Sequence, residues 1–222
     1  AKKARDGVSV DSDQGEFWAR QLLVAVGRAP RSKEIGLEQV GVTTHPNGFI
    51  KVDEWLRTSV ESIHAIGDVV GGYLLAHAAS HEGITAAEDI AGQQLAPFEQ
   101  ELVTRCTYSH PQIASVGLTE KQAAEKGHEV KVGKFPFTAL GRAIIHGETG
   151  GFVKMVADAK SGRLLGAHIV GPQATELIAE PALTQLFQGD AWELGHNIHP
   201  HPTLSEAVME AALAVNSQAI HI

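Results

Sequence analysis

The stretch GFVKMVADAKSGRLLGAHIVG, Gly151 to Gly171, decides the fold. Two β-prone apolar runs flank a polar turn at Lys160–Gly162, which predicts an antiparallel pair of strands. Upstream, IASVGLT and EVKVGKFPF suggest two further strands around a short helix, TEKQAAEK, for which Thr119 is a plausible N-cap. Downstream, apolar residues at helical spacing predict helices from Ala174 to Phe187 and from Leu204 to Val215. The second half of the chain therefore reads as an α+β domain, one face of an antiparallel sheet covered by helices.

The first half follows a different pattern. GVSV and LLVAVGRAP read as strands. The continuous apolar run LLVAVG suits a strand buried on both faces of a parallel sheet, which needs more neighbours than precede it here. The opening AKKARD looks like the middle of a domain. Asn47-Gly48 in GVTTHPNGFIKVD signals a hairpin whose two central residues accept positive φ. SIHAIGD reads as another short buried strand, ending at Gly67-Asp68. LLAHAASHEGITAAEDI, Leu74 to Ile90, reads as a helix with small residues on one side that tolerates Gly83. QLAPFEQELV reads as a linker.

The bulk numbers narrow the function classes. The 222 residues, 43% of them hydrophobic, supply a core for one large or two smaller domains. The formal charge of -8 leaves no basic face for a phosphate backbone, so nucleic acid is not expected. Cys106, the single cysteine, makes no intrachain disulfide, and the first residues lack an export signal. No apolar run is long enough to cross a bilayer. A soluble, cytoplasmic protein is expected.

The stretch HNIHPHPTLSEA, His196 to Ala207, carries the most chemistry and admits three readings. In the first it starts a helix: TLSE fits a capping box, with Thr203 bonding the backbone at Glu206 and Glu206 reaching back, and Leu204, Val208, Ala212 and Val215 form the buried stripe. In the second, His196, His199 and His201 bind a metal, against which Pro200 and Pro202 hold adjacent side chains apart. In the third, His201 is an acid–base group and Glu206 its orienter, the carboxylate folding back to one imidazole nitrogen while the other faces a substrate. Spacing alone does not separate capping from orienting.

LLVAVGRAP, SIHAIGDVVGGYLLAHAASHEG, YSHPQIASVGLTE, GFVKMVAD, LLGAHIVGPQATELI and HPHPTLSEA, in this order, resemble the C-terminal half of a flavin-dependent pyridine nucleotide-disulfide oxidoreductase. HPHPTLSEA favours the dihydrolipoyl dehydrogenase branch of that family. The resemblance implies a fold of two parts: the end of a nucleotide-binding FAD/NAD(P) fold, then an α+β interface domain. It divides the chain into the end of an NAD-binding domain (1–28), a central segment completing the FAD-binding domain (29–94) and an interface, or dimerisation, domain (95–222). It implies that Asp68 accepts hydrogen bonds from the FAD ribityl chain. Leu74, Leu75, Ala76 and His77 then lie beside the flavin, where a helix start stabilises negative charge on the reduced ring. At Gly27 the backbone passes the nicotinamide nucleotide, although a turn glycine explains that residue equally well. Arg28, and His77 and His81 as catalytic groups, stay unassigned.

The resemblance also implies a homodimer in which His201, oriented by Glu206, acts on the other subunit's redox disulfide. It takes a proton from dihydrolipoamide, and the electrons pass by way of the resulting dithiol and FAD to NAD+. A cis His201–Pro202 bond is implied as well. The implied partners are a lipoyl-bearing acyltransferase of a 2-oxoacid dehydrogenase complex or a glycine-cleavage carrier. The chain has no G-x-G dinucleotide loop and no cysteine pair, so both are expected to precede Ala1. The 222 residues alone are then expected to be inactive and to bind FAD weakly or not at all, with LLVAVG left exposed. Two alternatives stay open: a non-enzymatic dimerisation module, and a related disulfide reductase of the glutathione type.

Overall fold

A computed structural model describes residues 1–93 and 96–222. The boundary expected between residues 94 and 95 lies outside the described residues.

Strands β1 (Lys2–Ala4), β2 (Gly7–Ser12) and β3 (Gly15–Ala19) form a small antiparallel sheet in that order, and none of its residues is buried. The buried strand expected at LLVAVG is not formed. Residues 21–26 pair with no strand, and Leu23 and Val26 are 87% and 91% exposed. A parallel strand needs neighbours that satisfy its backbone and cover both faces, and none flanks it among the described residues. Apolar surface is left open there, as the sequence leads one to expect.

A short helix, α1 (Leu37–Val40), precedes a small core of Val42, Ile50 and Ala65. The hairpin at Asn47-Gly48 is present: Gly48 N–H donates to His45 O at 2.8 Å, and Thr44 bridges Ile50 antiparallel. Its turn differs from the expected one. Only Gly48 takes positive φ, at 91°, so Pro46 and Asn47 make the turn and Gly48 follows as the left-handed bulge residue. The strand expected at SIHAIGD shrinks to one bridge, His64 with Arg57, and then a 3-10 turn at Gly67–Val69. Its partner is the adjacent 56–58 segment, too short to propagate a ladder.

Helix α2 (Ala76–Ile90) forms where expected. Its inward face is small but not apolar throughout: Ala78 and Ala86 alternate with buried Glu82, Thr85 and Asp89. Asp89 receives Arg57 Nε at 2.7 Å and lies 2.8 Å from His64 Nε2, so the buried charge is paired.

The second half is built on a five-stranded antiparallel sheet. Its strands are β4 (Arg105–Thr107), β5 (Gln112–Gly117), β6 (Val130–Pro136), β7 (Phe152–Asp158) and β8 (Leu164–Gly171), in the order β4-β5-β8-β7-β6. The β7–β8 pair runs antiparallel, Val153 opposite Ile169. Between β5 and β6, α3 (Glu120–Glu125) starts in a complete capping box at Thr119. The helices α4 (Gly141–His146), α5 (Ala174–Leu177), α6 (Ala179–Leu186), α7 (Ala191–His196) and α8 (Glu206–Ala214) complete the domain. The helix expected from Ala174 to Phe187 is thus two, parting at Ile178. Fully buried Phe135, Phe137, Val153, Met155, Ile169 and Val208 form the core between sheet and helices.

The close seat of α8 on β6 depends on Gly133. A Cβ there would stand 2.1 Å from Ala211 O and 2.5 Å from Val215 N, both backbone atoms that cannot swing aside. Gly133→Ala should therefore lower unfolding stability by about 2 kcal/mol, as overpacking does. Urea denaturation checks this, and an unchanged midpoint would show that α8 slides freely on the sheet.

Candidate active site

The apolar stripe expected for the last helix is buried, with Leu204, Val208, Ala212 and Val215 all under 10% exposed, and it pins the first turn of α8. Glu206 stands in that turn. Its Oε2 accepts the Thr203 N–H at 2.7 Å, and its Oε1 accepts Nδ1–H of His201 at 2.8 Å. Capping and orienting are thus done by the two oxygens of one carboxylate. The expected reciprocal box is only half made: Thr203 Oγ1 donates to Pro200 O at 2.7 Å instead, and Ser205 is the N-cap without a side-chain bond.

The two partners differ sharply in exposure. The Glu206 side chain is 13% exposed and that of His201 78%. With Nδ1–H committed to Glu206, the neutral ring carries its lone pair on Nε2, free to accept a proton. Burial pushes the Glu206 carboxyl up, but the donations from Thr203 and His201 outweigh it and hold its pKa below the ordinary carboxylate value. The His201–Pro202 bond is cis.

The other two histidines of the stretch are held elsewhere. His196 Nδ1 donates to Trp192 O at 2.8 Å, its ring stacked on Trp192. His199 Nδ1 donates to Asn197 O, and its Nε2 lies 2.9 Å from Glu180 Oε1. The three rings face different partners, and no group of three potential metal ligands occurs among the described residues.

A second set of expected site residues gathers at the start of α2. Asp68 sits in the 3-10 turn Gly67–Val69 and is ion-paired with Arg28, which brings the Gly27 segment beside it. Gly27 has φ 128°, and a Cβ there would meet open space, so its backbone conformation, not crowding, requires glycine. Glu82 on α2 accepts the Gly67 N–H at 2.6 Å and fixes the turn. Burial raises the Glu82 carboxyl against that bond, and neighbouring Asp68 adds to the rise. Leu74 is left-handed at φ 51°, and Leu75 caps α2 with no side-chain bond, leaving the first-turn amides of this helix without a side-chain acceptor. Ala76 and His77 are exposed, but the His77 ring is committed, its Nε2 2.7 Å from Thr104 O. Among the described residues no hydrogen bond or ion pair joins this group to His201 and Glu206. Cys106 is a free thiol raised by burial and then by Glu176.

Sequence reasoning missed Glu82, buried on α2, and Glu180, partly buried on α6. Polar residues interrupting a buried stripe are the signal that finds them.

Comparison with known proteins agrees in both halves. Residues 1–83 match the model of the pyridine nucleotide-disulphide oxidoreductases, and residues 103–212 that family's dimerisation domain. The dihydrolipoyl dehydrogenase of Bacillus subtilis is 48% identical over 99% of this chain and 47% of its own length. That of Thermus scotoductus is 48% identical over 100% of the chain and 49% of its own length. The chain thus spans about half the length of the curated relatives it matches. The crystal structure of LpdA from Mycobacterium tuberculosis superposes with a TM-score of 0.87 at 28% identity, over 94% of this chain and 46% of that one. The flavoprotein disulfide reductase RclA of Escherichia coli, as its Cu(II) complex, gives 0.83 at 26% identity, over 95% and 48%. No helix among the described residues is long and apolar enough to cross a membrane. Two models of one family, matching successive parts of the sequence, leave one conclusion: the chain belongs to the pyridine nucleotide-disulphide oxidoreductases.

Proposed function

We propose that the chain is the C-terminal half of a dihydrolipoyl dehydrogenase, an NAD-dependent enzyme that oxidises protein-bound dihydrolipoamide. The observation that carries the reading is the His201–Glu206 pair, its carboxylate buried and its imidazole Nε2 turned outward. In this role Nε2 takes the proton of a substrate thiol. The thiolate attacks a disulfide sulfur to form a mixed disulfide, and the second substrate thiol closes the lipoyl ring and leaves a dithiol behind. Glu206 stabilises the imidazolium that results. The disulfide comes from outside these 222 residues, since Cys106 is their single cysteine.

The residues present fit a flavin. The uncapped first-turn amides of α2 suit an electron-rich edge, and Leu74, Leu75, Ala76 and the backbone at His77 border them. Asp68, on an open turn held by Glu82, suits the ribityl hydroxyls, and the Gly27 backbone suits the nicotinamide nucleotide. When bound, FAD carries two electrons between thiols and NAD+.

The proposed divisions are 1–28, 29–94 and 95–222. The last makes a homodimer that presents His201, 78% exposed in the single chain, to the other subunit. Partners are a lipoyl-bearing acyltransferase or a glycine-cleavage carrier, and the compartment is the cytoplasm, where Cys106 stays reduced. The test is a chimera joining this chain to the N-terminal part of the Bacillus subtilis relative. It should bind FAD and reduce NAD+ with dihydrolipoamide but not reduce glutathione disulfide. A folded, yellow, dimeric chimera without dihydrolipoamide turnover would refute the reading.

A further inference from the structure

His199 and His201 are two residues apart in a segment punctuated by Pro200 and Pro202, yet their side chains differ sharply in exposure. His201 points out, 78% exposed, and His199 points in, its side chain 3% exposed. The inward ring donates Nδ1–H to Asn197 O at 2.9 Å, and its Nε2 stands 2.9 Å from Glu180 Oε1 as a charge contact, not an aligned hydrogen bond. A neutral imidazole would turn a lone pair on one of these oxygens. Only the imidazolium sets a positive charge beside that carboxylate.

Glu180, near the start of α6, also accepts Nδ2–H of Asn197 at 2.9 Å. One carboxylate thus holds the chain at 197 and at 199. Burial pushes Glu180 up, yet His199 and Asn197 hold it below the ordinary carboxylate value. His199 is raised by Glu180 first, against burial, with Glu206 adding to the rise. The acid–base ring is therefore fastened on both sides, by Glu206 at residues 201 and 203 and by Glu180 at residues 197 and 199.

We propose that Glu180 and His199 are positioning residues for His201, a buried imidazolium–carboxylate pair that anchors the segment whose outward histidine does the proton transfer. This rests on the acid–base reading of His201. In the chimera, Glu180→Gln should lower kcat with dihydrolipoamide about fivefold through lost alignment. KM for NAD+ should not move. Nor should NADH oxidation by an artificial acceptor that takes electrons from the flavin directly and bypasses His201. An unchanged kcat, or an equal fall of both activities together with the thermal midpoint, overturns the proposal. The second arm uses the 222-residue chain with 15N-labelled histidines near neutral pH. His199 should show two protonated ring nitrogens in the parent, one in Glu180→Gln, and the His201 ring signals should shift between the two. Should the chimera lack dihydrolipoamide turnover altogether, the acid–base reading fails, and this arm still decides the anchoring: a neutral His199 in the parent, or unmoved His201 signals in the variant, refutes it.

Discussion

His201→Gln in the chimera should lower turnover of dihydrolipoamide about a thousandfold near neutral pH, within the range expected for removing a placed acid–base group. Glutamine fills much the same space and no longer accepts a proton. The flavin content and the flavin-direct oxidation of NADH should stay as in the parent, because neither needs a base at this position. The loss should shrink as the pH approaches the ordinary thiol range, about 8.5, where the substrate supplies its own thiolate. A uniform loss at every pH would point to a role in binding or dimer contact. A variant that turns over like its parent would leave the outward imidazole with no chemistry. The exposure of His201 in the single chain matters here: a ring that is 78% exposed, its Nδ1 held by Glu206, is placed to act on something beyond its own fold, and among the described residues no hydrogen bond or ion pair engages its Nε2.

The elements legible in the sequence were those stabilised by their own neighbours. The β7–β8 pair, the capping box at Thr119, α2 and the stripe of α8 all came from local periodicity or turn chemistry, and all stand in the structure. LLVAVG failed for the opposite reason. Its pattern specifies burial against neighbouring strands, and none flanks it among the described residues, so the same apolarity that predicts a central strand leaves Leu23 and Val26 in solvent. The short α7 escaped notice although Asp190 and Glu193 make a full capping box, because no long apolar period follows it. In the candidate site, spacing found both members of the His201–Glu206 pair but treated capping and orienting as rivals. A carboxylate has two oxygens, and only coordinates show them spent separately. The pairing of Glu180 with His199 was beyond reach, since they meet across 19 residues and two helices (α6 and α7) through a contact no periodicity encodes.

That division of labour at Glu206 makes Glu206→Gln the sharper experiment. The amide oxygen of glutamine can keep the Thr203 N–H, which leaves the NH2 group facing His201 Nδ1. Nδ1 must then accept, so the proton moves to Nε2 and the ring presents a donor where a base is required. Turnover of dihydrolipoamide should fall about a hundredfold, while the retained cap limits the cost in stability to about 1 kcal/mol at neutral pH. Glu206→Ala, which loses both bonds, should match that loss of turnover and unfold more readily. The pH dependence has a definite sign. Because the folded state holds the Glu206 carboxyl below its ordinary value, the stability it contributes is full above the unfolded carboxylate pKa and is lost as pH falls through the lower folded one. The gap in thermal midpoint between parent and Glu206→Gln should therefore be widest at neutral pH and close in acid. Should the glutamine variant keep full turnover while the alanine variant merely unfolds sooner, Glu206 is a helix cap alone. His201 would then need no orienter, and the reading of the pair as an acid–base unit would give way to the dimerisation module.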